Sequence, residues 1–204
     1  MNIKEFIEEK GIKSLYHFTK SENLYNILGY GLLSRMALDN NKIAYDYNDE
    51  KRLENKLNAI CTSISFPNYK MFYKYRQTEP KSEWCVIELD PSILYEKNCL
   101  FCISNAASKS ETTRSDICKT GLNGLNLLFD ADGRSVDLAS KFTTNPQAEV
   151  LVLGNIEQNY IKRIVFDTNN PVFNHGNYPN FRFEYDTDKH LFYPRADYAN
   201  WQLN

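Results

Sequence analysis

The chain has 204 residues, with 24 Lys and Arg against 26 Asp and Glu and a formal net charge of −2. That balance argues against a protein that coats duplex DNA non-specifically, because such binding depends on neutralising many phosphates. No apolar run approaches a bilayer span and the first eleven residues lack a signal-peptide core, so the expectation is a cytoplasmic protein without a membrane segment.

In chain order, the hydrophobic pattern predicts a helix over 3–9, a strand over 15–18 and a helix over 21–30, with Ser21 as its cap and Gly31 as its stop. The stretch 35–57 is rich in Asn and Asp and reads as a loop carrying a short helix around 50–56. Strands are expected over 59–63, 84–89, 149–153 and 160–166, with a helix near 122–130. The alternation over 180–195 looks like a closing strand. Short strands mixed with helices, without regular βαβ alternation, predict an α+β fold. Neither a Pro/Gly/Ser-rich linker nor an internal repeat divides the chain, so one domain over 1–204 is expected.

Glu149 stands out because a carboxylate set into the start of the apolar run Val150-Leu151-Val152 must be solvated, paired or turned into a cleft. His17, one of three histidines, sits between aromatic neighbours on the first strand. A histidine so placed is either a satisfied, half-buried side chain or a functional one. From Asn68 to Arg76, Lys70, Lys74 and Arg76 interleave with Tyr69, Phe72, Tyr73 and Tyr75. That composition suits a single nucleic-acid strand, whose bases stack on aromatics while cations track its phosphates. It equally suits an amphipathic helix with its aromatics packed inside. The five cysteines have no regular spacing and fit reduced thiols. Cys99 and Cys102 form one CxxC without a second pair, so no metal is assigned. Absent too are a Gly-x-Gly-x-x-Gly turn and a Gly-x-x-x-x-Gly-Lys loop, which removes support for a dinucleotide-fold oxidoreductase and for a P-loop NTPase.

Four segments in order carry a resemblance: Tyr16-His17-Phe18-Thr19 with Asn23-Leu24 and Gly31-Leu32-Leu33-Ser34; Arg52-Leu53-Glu54 with Ala59 to Tyr69; Gly121-Leu122 with Leu127-Leu128-Phe129; and Gln147-Ala148-Glu149-Val150. Together they resemble the DarT family, toxins of the ADP-ribosyltransferase superfamily that transfer ADP-ribose from NAD to bases in single-stranded DNA. The resemblance implies a split two-sheet core with flanking helices, NAD bound as a substrate between the sheets, and no metal. Glu149 and Arg52 would be catalytic, with Arg35 the alternative arginine. His17, Thr19, Asn23 and Arg52 would contact NAD. Tyr69, Lys70, Lys74 and Arg76 would meet the DNA, joined by Arg114, Lys119 and Arg134 from the segment before Glu149. A macrodomain-type antitoxin would be the partner of a monomeric toxin. Thymine and guanine both occur as acceptors in proteins resembling this one, and Ser63-Ile64-Ser65-Phe66-Pro67-Asn68 leans towards the guanine-directed branch. An RNA or protein acceptor, or a catalytically silent nucleic-acid-binding domain, would leave the same residues in place.

Overall fold

The computed structural model describes residues 1–47, 56–130, 132–186 and 190–197. Its described strands are β1 (Leu15–Lys20), β2 (Ala59–Ile64), β3 (Trp84–Leu89), β4 (Cys99–Cys102), β5 (Glu149–Leu153), β6 (Ile161–Phe166) and β7 (Phe183–Tyr185). They lie in the order β4-β5-β2-β1-β3-β6-β7, antiparallel except for the β6-β7 pair. Around them run the helices α1 (Ile3–Lys10), α2 (Leu24–Tyr30), α3 (Arg35–Asn40), α4 (Tyr69–Thr78), α5 (Ile93–Glu96), α6 (Lys109–Thr113) and α7 (Gly121–Leu127). This is the expected α+β arrangement.

One joint in the sheet is weak. Strand β1 pairs with β3 along its whole length, from Leu15↔Leu89 to Lys20↔Trp84. With β2 it makes only the two rungs Leu15↔Ile64 and Tyr16↔Ser63, while β2 goes on to pair with β5 from Ala59↔Leu153 to Thr62↔Val150. The halves β4-β5-β2 and β1-β3-β6-β7 therefore meet at one corner and part along the rest, which is the split expected for this core.

Pleat alternation sends Leu15, Ile64, Ile87, Leu89, Val150 and Ile164 to one face, where Phe6 of α1, Leu24 and Leu28 of α2, Ile93 of α5 and Leu125 of α7 cover them. On the other face Phe18, Trp84, Val86 and Val165 pack against Phe72 of α4 and against Leu191 and Phe192. Phe18 and Phe72 stack at 4.6 Å. A smaller cluster of Ala59, Leu100, Cys102, Ala106 and Leu151 lies under the β4-β5-β2 half.

Helix ends follow local chemistry. In α1 the Asn2 side chain accepts from the Glu5 amide while Glu5 accepts in return from the Asn2 backbone, and Gly11 at φ 69° closes the helix. Gly31 ends α2 as expected, at φ 82°. Ser21 is not the cap: it is buried at the start of a 3-10 turn, Ser21–Asn23, that precedes α2. Four elements escaped the sequence pattern: α3, α5, α6 and β4. Helix α3 starts inside the Asn/Asp-rich stretch, where the Ser34 hydroxyl accepts from the Ala37 amide at 3.3 Å. Strand β4 is buried on both faces, so its four residues show no alternation. The short helix expected around 50–56 falls almost wholly outside the described residues.

Candidate active site

Glu149 opens β5 on the same face as Leu151 and is 4% exposed. A carboxylate so far from water must be held by donors. The Ala106 amide donates to its Oε2 at 2.8 Å, and the Asn68 side-chain amide donates to its Oε1 at 3.2 Å. Three elements converge there. Ala106 follows β4, whose Cys102 pairs with Glu149 across the ladder. Asn68 is the N-cap of α4, its Oδ1 accepting from the Met71 amide at 3.3 Å.

In front of Glu149 lies a cleft opened by the split between β1 and β2. It encloses about 1220 Å³, counting its open mouth. Its walls mix polar His17, Thr19, Asn23 and Asn26 with apolar Ile27, Leu32, Tyr45 and Tyr47. His17 spans the split: where the ladder has ended, its Nδ1 lies 2.8 Å from the Cys61 carbonyl. A carbonyl only accepts, so Nδ1 carries a proton, and in the neutral ring Nε2 is then an acceptor.

Thr19 and Asn23 shape the cleft through their neighbours. The Asn23 amide donates to Thr19 Oγ1 at 3.0 Å and to the Asp46 carbonyl at 2.7 Å, and its Oδ1 accepts from the Asp46 amide at 2.8 Å. Asn26 donates to the Ala44 carbonyl at 2.7 Å. Lys20, nearly buried, pairs with Asp46 at 2.9 Å and with Glu79. Burial opposes the Lys20 charge, but the bonds it donates to Glu79 and Asp46 outweigh that and raise the ammonium above its ordinary value. Residues 44–47 are thus pinned as one wall, and Arg35 enters the cleft with its guanidinium 4.8 Å from the Tyr47 ring. Arg52 lies outside the described residues.

The residues expected to meet DNA divide. On α4, Phe72 and Tyr69 turn inward while Tyr73 and Lys74 are exposed and Lys70 is half-buried. Tyr69, expected to meet the DNA, is 8% exposed and packs edge-on against Phe66. Arg76 lies over Phe72 and Phe192 and pairs with Asp167 at 3.3 Å.

The three basic residues before Glu149 that were expected to meet phosphates make internal bonds in this structure. Arg114 pairs with buried Glu111 at 3.0 Å and donates to the Phe101 carbonyl at 2.9 Å. Lys119, 5% exposed, donates to the Glu111 carbonyl at 2.7 Å. Arg134 donates to the carbonyls of Phe142, Leu138 and Ala139. In each case a backbone carbonyl of the protein takes at least one of the donors.

Burial pushes the thiols of Cys99 and Cys102 up to about 12, so both stay protonated and inert at neutral pH. Among the described residues no group of three or more His, Cys, Asp or Glu is placed to hold a metal ion. Sequence reasoning missed Asn68 and the Ala106 amide. Asn68 carried a signal, an Asn after Pro67 at the start of an amphipathic run, but that pattern shows a cap and not the contact with Glu149.

Solved structures share this architecture. The Thermosipho africanus DarTG in complex with ADP-ribose superposes with a TM-score of 0.61 at 18% identity, over 88% of this chain and 51% of that one. The Thermus sp. 2.9 DarT in complex with carba-NAD+ gives 0.55 at 13% identity, over 89% and 98%. The chain therefore spans about half the length of the Thermosipho protein. A split α+β sheet of this topology, with a buried carboxylate at the lip of its cleft, defines an ADP-ribosyltransferase fold. No curated protein sequence gives a significant match. The profile of one family, described as ssDNA thymidine ADP-ribosyltransferase, DarT, matches residues 16–172. The chain belongs to the DarT family.

Proposed function

We propose that this chain is a single catalytic domain that transfers ADP-ribose from NAD to thymidine in single-stranded DNA. The observation that carries the reading is Glu149, fixed from both oxygens at the lip of the split, in a chain whose family is described by that reaction. The family description favours thymidine over the guanine suggested by residues 63–68.

NAD is a substrate here, and the cleft fits it chemically. An apolar and aromatic wall suits flat rings, while His17, Thr19, Asn23 and an arginine fork suit ribose and pyrophosphate. Nicotinamide leaves its cationic pyridinium form as a neutral molecule, so no strong acid is needed. Positive charge develops instead on the ribose as the glycosidic bond lengthens, and the Glu149 carboxylate opposes it. The ring nitrogen of thymidine that bears a proton is N3. As the ribose C1′–N3 bond forms, that proton passes to Glu149, which acts as general base. Arg52 and Arg35 are the candidates for the pyrophosphate and ribose.

The acceptor strand reaches the lip along α4, where Lys70, Tyr73 and Lys74 lie towards solvent. The protein works in the cytoplasm as a monomeric toxin of a toxin–antitoxin or phage-defence pair, restrained by a macrodomain-type antitoxin. In support, no helix among the described residues is long and apolar enough to cross a membrane, and a DarTG structure shares the fold.

The test is to incubate the protein with NAD and single-stranded DNAs, each lacking one base, and to weigh the products. One added ADP-ribose unit on every strand except the thymidine-free one is expected. Addition that disappears with another base would reassign the acceptor, and NAD consumption without modified DNA would move the reading to RNA or protein.

A further inference from the structure

Asn68 is completely buried, and its side chain makes two bonds to two different elements. Its Oδ1 accepts from the Met71 amide and caps α4, while its Nδ2 donates to Oε1 of Glu149, 81 residues away in sequence. The orientation of the amide is fixed by these partners, because flipping it would set a donor against the Met71 N–H and an acceptor against the carboxylate. The other oxygen of Glu149 is held by the Ala106 amide. With one oxygen tied to the Ala106 backbone amide and the other to the Asn68 side chain, rotation about the last bond of the Glu149 side chain breaks both contacts.

We propose that Asn68 is a positioning residue for the transfer reaction, aiming the Glu149 carboxylate and fastening that aim to the first turn of α4. The inference rests on the catalytic reading of Glu149 given above. Residue chemistry supports it. Asp caps helices as well as Asn but lacks the donor and would set a second carboxylate against the first. Ser caps as well but is too short to reach. Only an amide of this length does both.

This division of labour allows the two bonds to be cut separately. Asn68→Ser and Asn68→Asp keep the capping oxygen, and Asn68→Ala removes cap and donor together. With NAD and thymidine-containing single-stranded DNA, Ser should lower kcat about 10- to 100-fold, with the KM for NAD nearly unchanged and Tm close to wild type. Asp should lower kcat further. Ala should lose kcat like Ser and also lose about 2–4 °C in Tm.

Wild-type kcat in both Ser and Asp would overturn the proposal, as would a loss carried by KM or one that simply follows Tm. A second measurement needs no turnover. In Glu149→Ala the side-chain NH2 signal of Asn68 should move in a 15N-resolved proton spectrum while the Met71 amide stays in place. An unmoved NH2 signal would show that the contact is not made in solution. If the wild-type protein modified no DNA, the reading of its function would fail, and this spectrum would still decide the contact.

Discussion

At the scale of single residues, the chemistry converges on a buried carboxylate that is held rather than merely present. Glu149→Gln keeps the shape and an accepting oxygen but cannot carry the negative charge. Its kcat in steady-state transfer assays should fall at least about 100-fold, and a near-wild-type rate would remove Glu149 from the mechanism. For the arginines the expected ranking is that Arg52→Ala abolishes turnover while Arg35→Ala mainly raises the KM for NAD, because Arg35 already lies beside Tyr47 in the cleft wall. The reverse ranking in the same assay transfers the catalytic role to Arg35. Glu149 was legible in the sequence because a charge at the head of an apolar strand has few structural uses. Its two donors were not, since Asn68 and Ala106 reach it across 81 and 43 positions of chain and nothing local encodes such contacts.

Among elements, the strands with clear apolar patterning were legible almost to the residue, as β3 and β5 show, and so was the stop of α2. Gly31 does more than stop that helix. At φ +82° a side chain is strained, and a Cβ there would lie 2.4 Å from the Ile156 carbonyl, beside the Leu32↔Ile156 bridge. Gly31→Ala should therefore cost about 3 kcal/mol in urea-unfolding measurements; a neutral outcome would mean that the approach of α2 to residue 156 is loose. Helix α4 was legible in composition but not in orientation. The same aromatic and basic letters describe a helix facing either way, and only packing showed that Phe72 turns in while Tyr73 and Lys74 turn out. If Lys74 meets a phosphate, Lys74→Ala should weaken DNA binding equally across sequences and reduce the salt slope of affinity by about 1, read from fluorescence anisotropy at several salt concentrations.

Over the whole molecule, a polar network centred on buried Glu88 fastens the β1-β3-β6-β7 half. Glu88 of β3 accepts from the Ser14 hydroxyl and from Arg163 of β6, lies 3.3 Å from Lys162, and is linked through Arg163 to Glu184 of β7. Burial alone would raise the Glu88 carboxyl, but the bonds from Ser14 and Arg163 outweigh it and hold it below the ordinary carboxylate value. A group whose folded value is depressed stabilises the fold above its unfolded value and loses that contribution as pH falls through the folded one. Glu88→Gln should accordingly destabilise the protein by about 2 kcal/mol at pH 7, with the difference from wild type shrinking in acid. Thermal melts at several pH values would show this, and a constant difference would mean that the network does not depend on the Glu88 charge.

The corner joint between β1 and β2 has a further consequence. In an uninterrupted sheet the facing edges of these strands would bond to each other, but beyond the two rungs they border the cleft, and one carbonyl, that of Cys61, is met by His17. Part of the cleft's polar lining is therefore main chain, which every residue type except proline supplies in full. Substitution can erode side-chain contacts along these edges without deleting their amides and carbonyls. A lining of that kind tolerates evolutionary drift.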